Sequence, residues 1–433
     1  MSAEYLLMTH NAVIPHFRRC FSALLLLCTL PGLAHALNAE ELEHLLWRTG
    51  FGDDPALRTT LAPLNRQDAV DTLLSTLQFE PTLDPPTWVD APLLPAKAPT
   101  DLNPADKAAF LRERNKARRV RRADLQAWFL RNAAHSPSAF AERLTLFWHN
   151  VFAVELQRMP DPTYLWFQHR KIRSLAAGDY RQLVRQMALD PALLVYLDNH
   201  KNHRKRPNEN YARELLELHT LGEGHYSEND VRELARVLTG ARADRQTGQY
   251  EFRAPWHDRG DKSVFNRVGA FVPEDAASLI LAHEQAPLYP VKRLWQEFIS
   301  ETPDHTAVER LASRFVEQDW DIESLLRDLL LEDAFWSATM RKQLVRSPIE
   351  LVLGLHRETG HTLDQPNKWL KSLAGLGQDL FNPPDVAGWP GGLDWISTTS
   401  LNRRQAVITR IADQTEASPT QRARWLSLDY QLK

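Results

Sequence analysis

The densest run of groups able to do chemistry is Asn208-Glu209-Asn210-Tyr211-Ala212-Arg213-Glu214-Leu215-Leu216-Glu217-Leu218-His219. Read as a helix starting near Asn208, it stacks Glu209, Arg213 and Glu217 four residues apart on one face and puts Tyr211, Leu215 and Leu218 on an apolar one. The plainest reading is a salt-bridge ladder, with each pair worth about 0.2–0.5 kcal/mol. The chemical reading puts the carboxylates of Glu209, Glu214 or Glu217 in a pocket, held by Arg213 and the amides of Asn208 and Asn210. There they would act as acid and base or bind a divalent metal. A second run, His257-Asp258-Arg259-Gly260-Asp261-Lys262-Ser263, gathers a general base (His257), a carboxylate ligand (Asp258) and a cation (Lys262) to orient an anionic moiety. Its alternative is a solvated turn organised by Gly260.

Two aromatic segments complete the set. His149 lies in Leu146-Phe147-Trp148-His149-Asn150-Val151-Phe152, where it is either a metal ligand or a satisfied core histidine. Trp389 and Trp395 lie in a Pro/Gly-rich, non-helical stretch from Asn382 to Trp395, where they would stack on a sugar ring or plug the core. Residues 112–122 hold seven Lys/Arg against one Glu, and a solvated helix face accounts for them. The net charge of −3 gives no global sign of a nucleic-acid partner. The chain has no G-x-S-x-G elbow, no phosphate-binding G-x-x-x-x-G-K-[ST] or G-x-G-x-x-G loop, and no H-E-x-x-H. Those absences remove the common routes to serine hydrolase, nucleotide-binding protein and zinc peptidase.

The elements that must position these groups are helices. Asn38 with Glu41 reads as a capping box ahead of Leu42, Leu45 and Leu46. Val70, Leu73, Leu74 and Leu77 repeat the helical spacing. Ser136-Pro137, Asp190-Pro191 and Ser347-Pro348 each read as a cap followed by proline at the first helical position, and Glu350 completes a box at the last. Ser227 with Asp230 opens another helix, and Gly222 and Gly240 sit where helix ends want a positive φ. Seven prolines between residues 81 and 104 mark a surface excursion. Periodicity fades over 241–272, where Tyr250-Glu251-Phe252-Arg253 suggests a short strand and two lobes would meet. The expectation is a mainly α, single large domain over 37–433.

The amino terminus reads as a secretory signal. Arg18-Arg19 precede an apolar run from Cys20 to Leu33, and Ala34-His35-Ala36 supplies the small residues a signal peptidase reads, so cleavage is expected after Ala36. Arg18-Arg19-Cys20-Phe21 also matches a twin-arginine core, although the leucine-rich run suits the general pathway better. Removal of residues 1–36 takes Cys20 and Cys28, leaving a periplasmic or secreted chain without thiols. That excludes cysteine nucleophiles, thiolate metal sites and disulfides. No later segment is long and apolar enough for a membrane anchor.

Taken together, Leu46 through Gly52, Phe147 through Asn150, Asn208 through Gly222, His257 through Lys262 and Asn382 through Trp395 resemble the bacterial family catalogued as domain of unknown function 1800. The blocks stand in family order over nearly the whole chain. The resemblance implies one helical domain, export and, often, a co-encoded exported protein similar to sulfatases. It supplies no activity. Two positions depart from the family pattern: Val151, where a second His is frequent, and Ala241, where Trp is usual. The expectation is an envelope enzyme, a hydrolase using a Glu/His/Arg site. The alternative is a non-catalytic partner or maturation factor of the sulfatase-like protein.

Overall fold

Helices begin where a side-chain oxygen takes up backbone N–H groups that have no partner within the helix. A computed structural model describes residues 35–95, 97–360 and 363–433, so the signal reading lies outside them except for His35 and Ala36. Asn38 caps the helix Ala39–Thr49 and Glu41 returns the bond to the cap. The same reciprocal box opens Glu228–Val237 from Ser227 and Pro348–Thr359 from Ser347. Asp190 accepts from two amides at the start of Pro191–Tyr196. The expected start at Ser136-Pro137 lies two residues too early. Ser138 caps the helix Ala139–Val151, because the N–H of Ser136 is already used to close the preceding helix on Asn132.

The architecture is mainly α, and residues 36–433 form one compact unit. Helix Ala139–Val151 runs through its middle, burying Phe140, Leu144, Phe147 and Trp148. The Trp148 indole donates to the Ala176 carbonyl at 2.8 Å, which lets a wide aromatic sit fully inside without an orphaned N–H. The helix Pro104–His135 is 32 residues, about 48 Å at 1.5 Å per residue, and buries apolar side chains only from Leu125 onward. Its first half carries the basic run. Arg121 pairs there with Asp161, and Arg122 donates to the Gln157 and Met159 carbonyls.

The proline-rich segment has no helix or strand, and protein side chains bind its backbone. Asn132 accepts from the Thr82 and Leu83 amides, and Asp161 accepts from Leu94. Between residues 241 and 269 the chain forms two hairpins. Ala241–Ala243 pairs with Tyr250–Phe252, as the sequence suggests, and Lys262–Val264 pairs with Arg267–Gly269. The second turns through Phe265 and Asn266, both left-handed, as a two-residue hairpin turn requires. Among the described residues no helix is long and apolar enough to cross a membrane.

One close approach fixes how the amino-terminal block meets the helix Pro348–Thr359. The carbonyl of Phe51 lies directly over Gly354, where a side-chain carbon would overlap it. Gly354→Ala is therefore expected to destabilise the fold by about 1–3 kcal/mol through overpacking, although alanine is the better helix former. Urea unfolding checks this, and a stabilised variant would contradict it.

Candidate functional site

A cleft of about 1130 Å³ opens into the fold. One wall is the helix Leu288–Phe298, and the facing walls come from Ala139–Val151 and the loop that leads into Trp395. Phe51, Phe147, Asn150, Gly222, Trp389 and Trp395 all border it, so four of the five blocks that carry the family resemblance meet at one place. The loop is fastened before it arrives. Asn382 accepts from the Gln157 amide at 2.9 Å, and Asn150 accepts from the Trp389 amide at 2.7 Å. Gly388, with φ +95°, makes that approach possible, because any side chain there would run into Asn150.

The cleft floor is a buried charge network. Arg143 projects from the helix Ala139–Val151, donates to the Gly50 carbonyl at 3.0 Å, and pairs with both Glu350 and Glu297. Glu350 also receives the Lys433 ammonium at 2.6 Å and the Ser347 amide at 2.6 Å. Burial alone would push the Glu350 carboxyl upward, but Arg143 and Lys433 outweigh it and hold the group well below the usual carboxylate range. Burial similarly presses on Arg143, yet its two carboxylate neighbours leave its guanidinium harder to deprotonate than usual. Next to this network Arg48, also buried, donates to the Phe298 and Ile299 carbonyls at 3.0 and 2.9 Å. A cation at the end of that wall helix satisfies carbonyls that have no intrahelical donor and faces the negative end of the helix dipole.

The sequence-predicted residues fall into separate places, none lining the cleft except Trp389 and Trp395. Asn208 caps the helix Glu209–Glu217, and its amide donates to the Asp198 carbonyl at 3.0 Å, while the Asn210 amide donates to Leu197 at 3.1 Å. Both amides therefore stitch the preceding loop and do not hold the glutamates. Arg213 lies 3.8 Å from Glu209 but makes two short bonds to Glu228 of the next helix, at 2.7 and 2.6 Å. Glu217 accepts from the Tyr226 hydroxyl. Glu214 is half-buried, and burial reinforced by the Glu217 charge shifts its carboxyl upward.

The second predicted group is a buried polar knot. His257 faces the Thr239 carbonyl through Nδ1 at 2.9 Å, and its Nε2 faces the Lys262 ammonium at 3.3 Å. Nδ1 is thus the protonated nitrogen, and Nε2 is taken up as an acceptor. Lys262 also donates to the Phe271 carbonyl at 2.8 Å, and Asp258 pairs with Arg236 at 2.8 Å. Burial lowers the affinity of both His257 and Lys262 for protons.

His149 meets a partner that spacing did not reveal. Its Nε2 lies 2.9 Å from Nδ1 of His169, which projects from the helix Thr163–Leu175, and the two rings stack at 13°. At Val151 it is the backbone that is used, its carbonyl taking Nδ1 of His219 at 2.6 Å. Glu217, Asp258 and His149 therefore stand on three different elements, each with its own partner. Among the described residues no group of three or more His, Cys, Asp or Glu side chains is placed to hold a metal ion. The residues that sequence reasoning missed are Arg143, Glu297, Glu350, Lys433, Tyr289 and Arg293. Only Glu350 gave a signal, and that signal was a helix cap.

Two outcomes are expected. Glu350→Gln leaves two buried cations short of a counter-charge and should cost about 3–5 kcal/mol, whereas Glu214→Gln should cost under about 1 kcal/mol in the same urea titration. The second concerns the buried imidazoles. Burial first, and neighbouring cations second, bring His149 and His44 down to about 3. Burial brings His219 to about 4. Their folded values lie below the unfolded one, so the stability they contribute is complete above about pH 6.5 and is lost as pH falls toward the folded values. Each such group contributes a slope of about 1.4 kcal/mol per pH unit in that window. Unfolding free energies measured between pH 7.5 and 4.5 should fall steadily, and His149→Leu should remove about one proton's share of the slope. A flat profile would refute this.

Comparison with known proteins agrees with the geometry. A family model described as a protein of unknown function (DUF1800) matches residues 44–431, which takes in every block bordering the cleft. No curated protein and no solved structure matches the chain. With nearly its whole length matched, the chain belongs to the DUF1800 family of proteins of unknown function.

Proposed function

We propose that this chain is an exported envelope protein that seats an extended, polar, ring-bearing molecule, such as a glycan strand, in the cleft and hydrolyses it. The observation that supports this reading is the convergence of four sequence blocks, distant along the chain, on one cleft with tryptophan and charged walls. A cleft of this size suits a ligand of several rings; Trp389 and Trp395, 7% and 5% exposed, belong to the core behind it, so the placed polar groups are what would hold such a ligand. The reading of residues 1–36 as a signal peptide supports the envelope location.

Acid–base work in the cleft falls to groups that the floor network does not occupy. Glu350 and Glu297 serve as counter-ions to Arg143. That leaves Glu223, Glu301, Glu309, His225 and His305 among the lining residues, and the His305 imidazole lies 3.3 Å from the Glu309 carboxylate. A carboxylate with an imidazole in reach supplies the two kinds of group that general acid–base chemistry uses. The originally expected groups, Glu209, Glu214 and His257, then support the scaffold beside the cleft and do not touch the ligand.

A second reading has one observation in its favour. Leu393, 73% exposed and next in sequence to the cleft-lining Gly392, and Leu428, 70% exposed, are large apolar side chains of the kind a protein partner covers. That partner would be the co-encoded sulfatase-like exported protein. The two readings separate in one experiment. Purified protein incubated with cell-wall glycan and with extracellular polysaccharide should release new reducing ends, and Glu309→Gln should lower the rate at least 100-fold with an unchanged melting temperature. No release from either polymer, together with co-purification of the sulfatase-like protein and its loss in Leu393→Asp, would replace hydrolysis with the partner role.

A further inference from the structure

The cations of the cleft fall into two classes. Arg143 and Lys433 on the floor are each paired with carboxylates. Lys292 and Arg293, consecutive on the wall helix Leu288–Phe298, also line the cleft, yet among the described residues neither has a carboxylate within ion-pair reach. Arg293 is not loose. Its Nη1 donates to the Tyr289 hydroxyl at 2.9 Å, one helical turn back on the same face. That hydroxyl in turn donates to the Leu218 carbonyl, and the Tyr289 ring is 7% exposed, so the phenol is a fixed post. One hydrogen bond holds the guanidinium by a corner and leaves the rest of its planar fork toward the cleft.

We infer that Lys292 and Arg293 form an anion subsite, and that the molecule seated in the cleft is an acidic saccharide that places a carboxylate or phosphate there. This rests on the reading of the cleft as a glycan site and narrows it to a charged class. The fork of an arginine matches the two oxygens of a carboxylate or phosphate, and a fork already oriented loses less freedom on binding. Lys292 is exposed and adds attraction at short range, whereas Arg293, half-buried against Tyr289, supplies the geometry. Elsewhere in the described fold half-buried arginines are met from within, Arg236 by the carboxylates of Glu233 and Asp258 and Arg122 by the carbonyls of Gln157 and Met159. The unpaired pair in the cleft is therefore the place where a counter-charge from outside completes the arrangement.

Calorimetric titration of the full protein with three probes tests this: a galacturonic acid tetramer, the neutral galactose tetramer and inorganic phosphate. The acidic tetramer is expected to bind at least tenfold more tightly than the neutral one, with phosphate competing against it. Arg293→Gln and Lys292→Gln should each reduce that preference and leave affinity for the neutral tetramer unchanged, while Arg293→Lys keeps part of it. Lys292→Gln alters an exposed side chain without an ion-pair partner, so it reports even if Arg293→Gln folds poorly. Equal affinity for the two tetramers, or a preference untouched by both Gln variants, would overturn the subsite while leaving the cleft reading in place. Failure of the wild type to bind either tetramer would overturn both. Phosphate binding without either tetramer binding would mean an adventitious ion only, and would overturn the subsite as well.

Discussion

Everything around the cleft depends on the ion pair between Arg143 and Glu350. A pair removed from water is a poor source of stability in itself, since desolvation cancels most of the attraction. Its strength is in what it forbids. Once Arg143 is buried in the middle of its helix, the fold must bring carboxylates to it or leave a naked charge inside. The fold brings Glu350 from one helix and Glu297 from another, takes the Gly50 carbonyl from the amino-terminal block, and lets Lys433 balance the surplus negative charge. Segments that share no sequence neighbourhood are thereby held in one arrangement, and the cleft is the space left above them.

The aromatic support beneath this floor follows the same logic with different chemistry. Arg346, buried beside the network, has no carboxylate within ion-pair reach among the described residues. Its guanidinium lies 3.5 Å from the Trp47 ring centroid and 4.5 Å from that of Tyr430. Two ring faces stand in for water around the cation. Arg404, also buried, reaches the Arg346 carbonyl at 2.8 Å and Gln431 at 3.2 Å. The chain therefore satisfies interior cations in three ways, with carboxylates, with helix-end carbonyls and with aromatic faces, and each keeps a distant segment in place.

How much of this was legible in the sequence depends on the distance over which the information is written. Capping boxes at Asn38, Ser227 and Ser347 span three residues, and they appear in the fold as read. Helical periodicity and the strand at Tyr250 are equally local. Ser136 misled because one residue can stop a helix or start one, and only the length of the helix before it decides which. The candidate site failed to show for a related reason. Dense polar runs such as 208–219 draw attention because their groups are close in sequence, yet their partners prove to be neighbouring loops and the next helix. The cleft collects single residues from positions 51, 143, 222, 293, 350, 389 and 433, each unremarkable where it stands. Arg143 reads as a blemish on an apolar face, and His169 gives no hint that it lies against His149.

The ladder between residues 344–346 and 431–433 has a temporal consequence. Arg346 donates to the Gln431 carbonyl at 2.8 Å, and Lys433 to the Leu344 carbonyl at 2.8 Å, which delivers the Lys433 ammonium to Glu350. Contacts spanning 83 residues, from Glu350 to Lys433, and 207, from Arg143 to Glu350, close large loops, and large loops close slowly. A chain emerging from amino to carboxyl end presents Arg143 long before Glu297, Glu350 and Lys433. The cleft floor is thus complete only once residues 431–433 have paired with 344–346 and brought the Lys433 ammonium to Glu350.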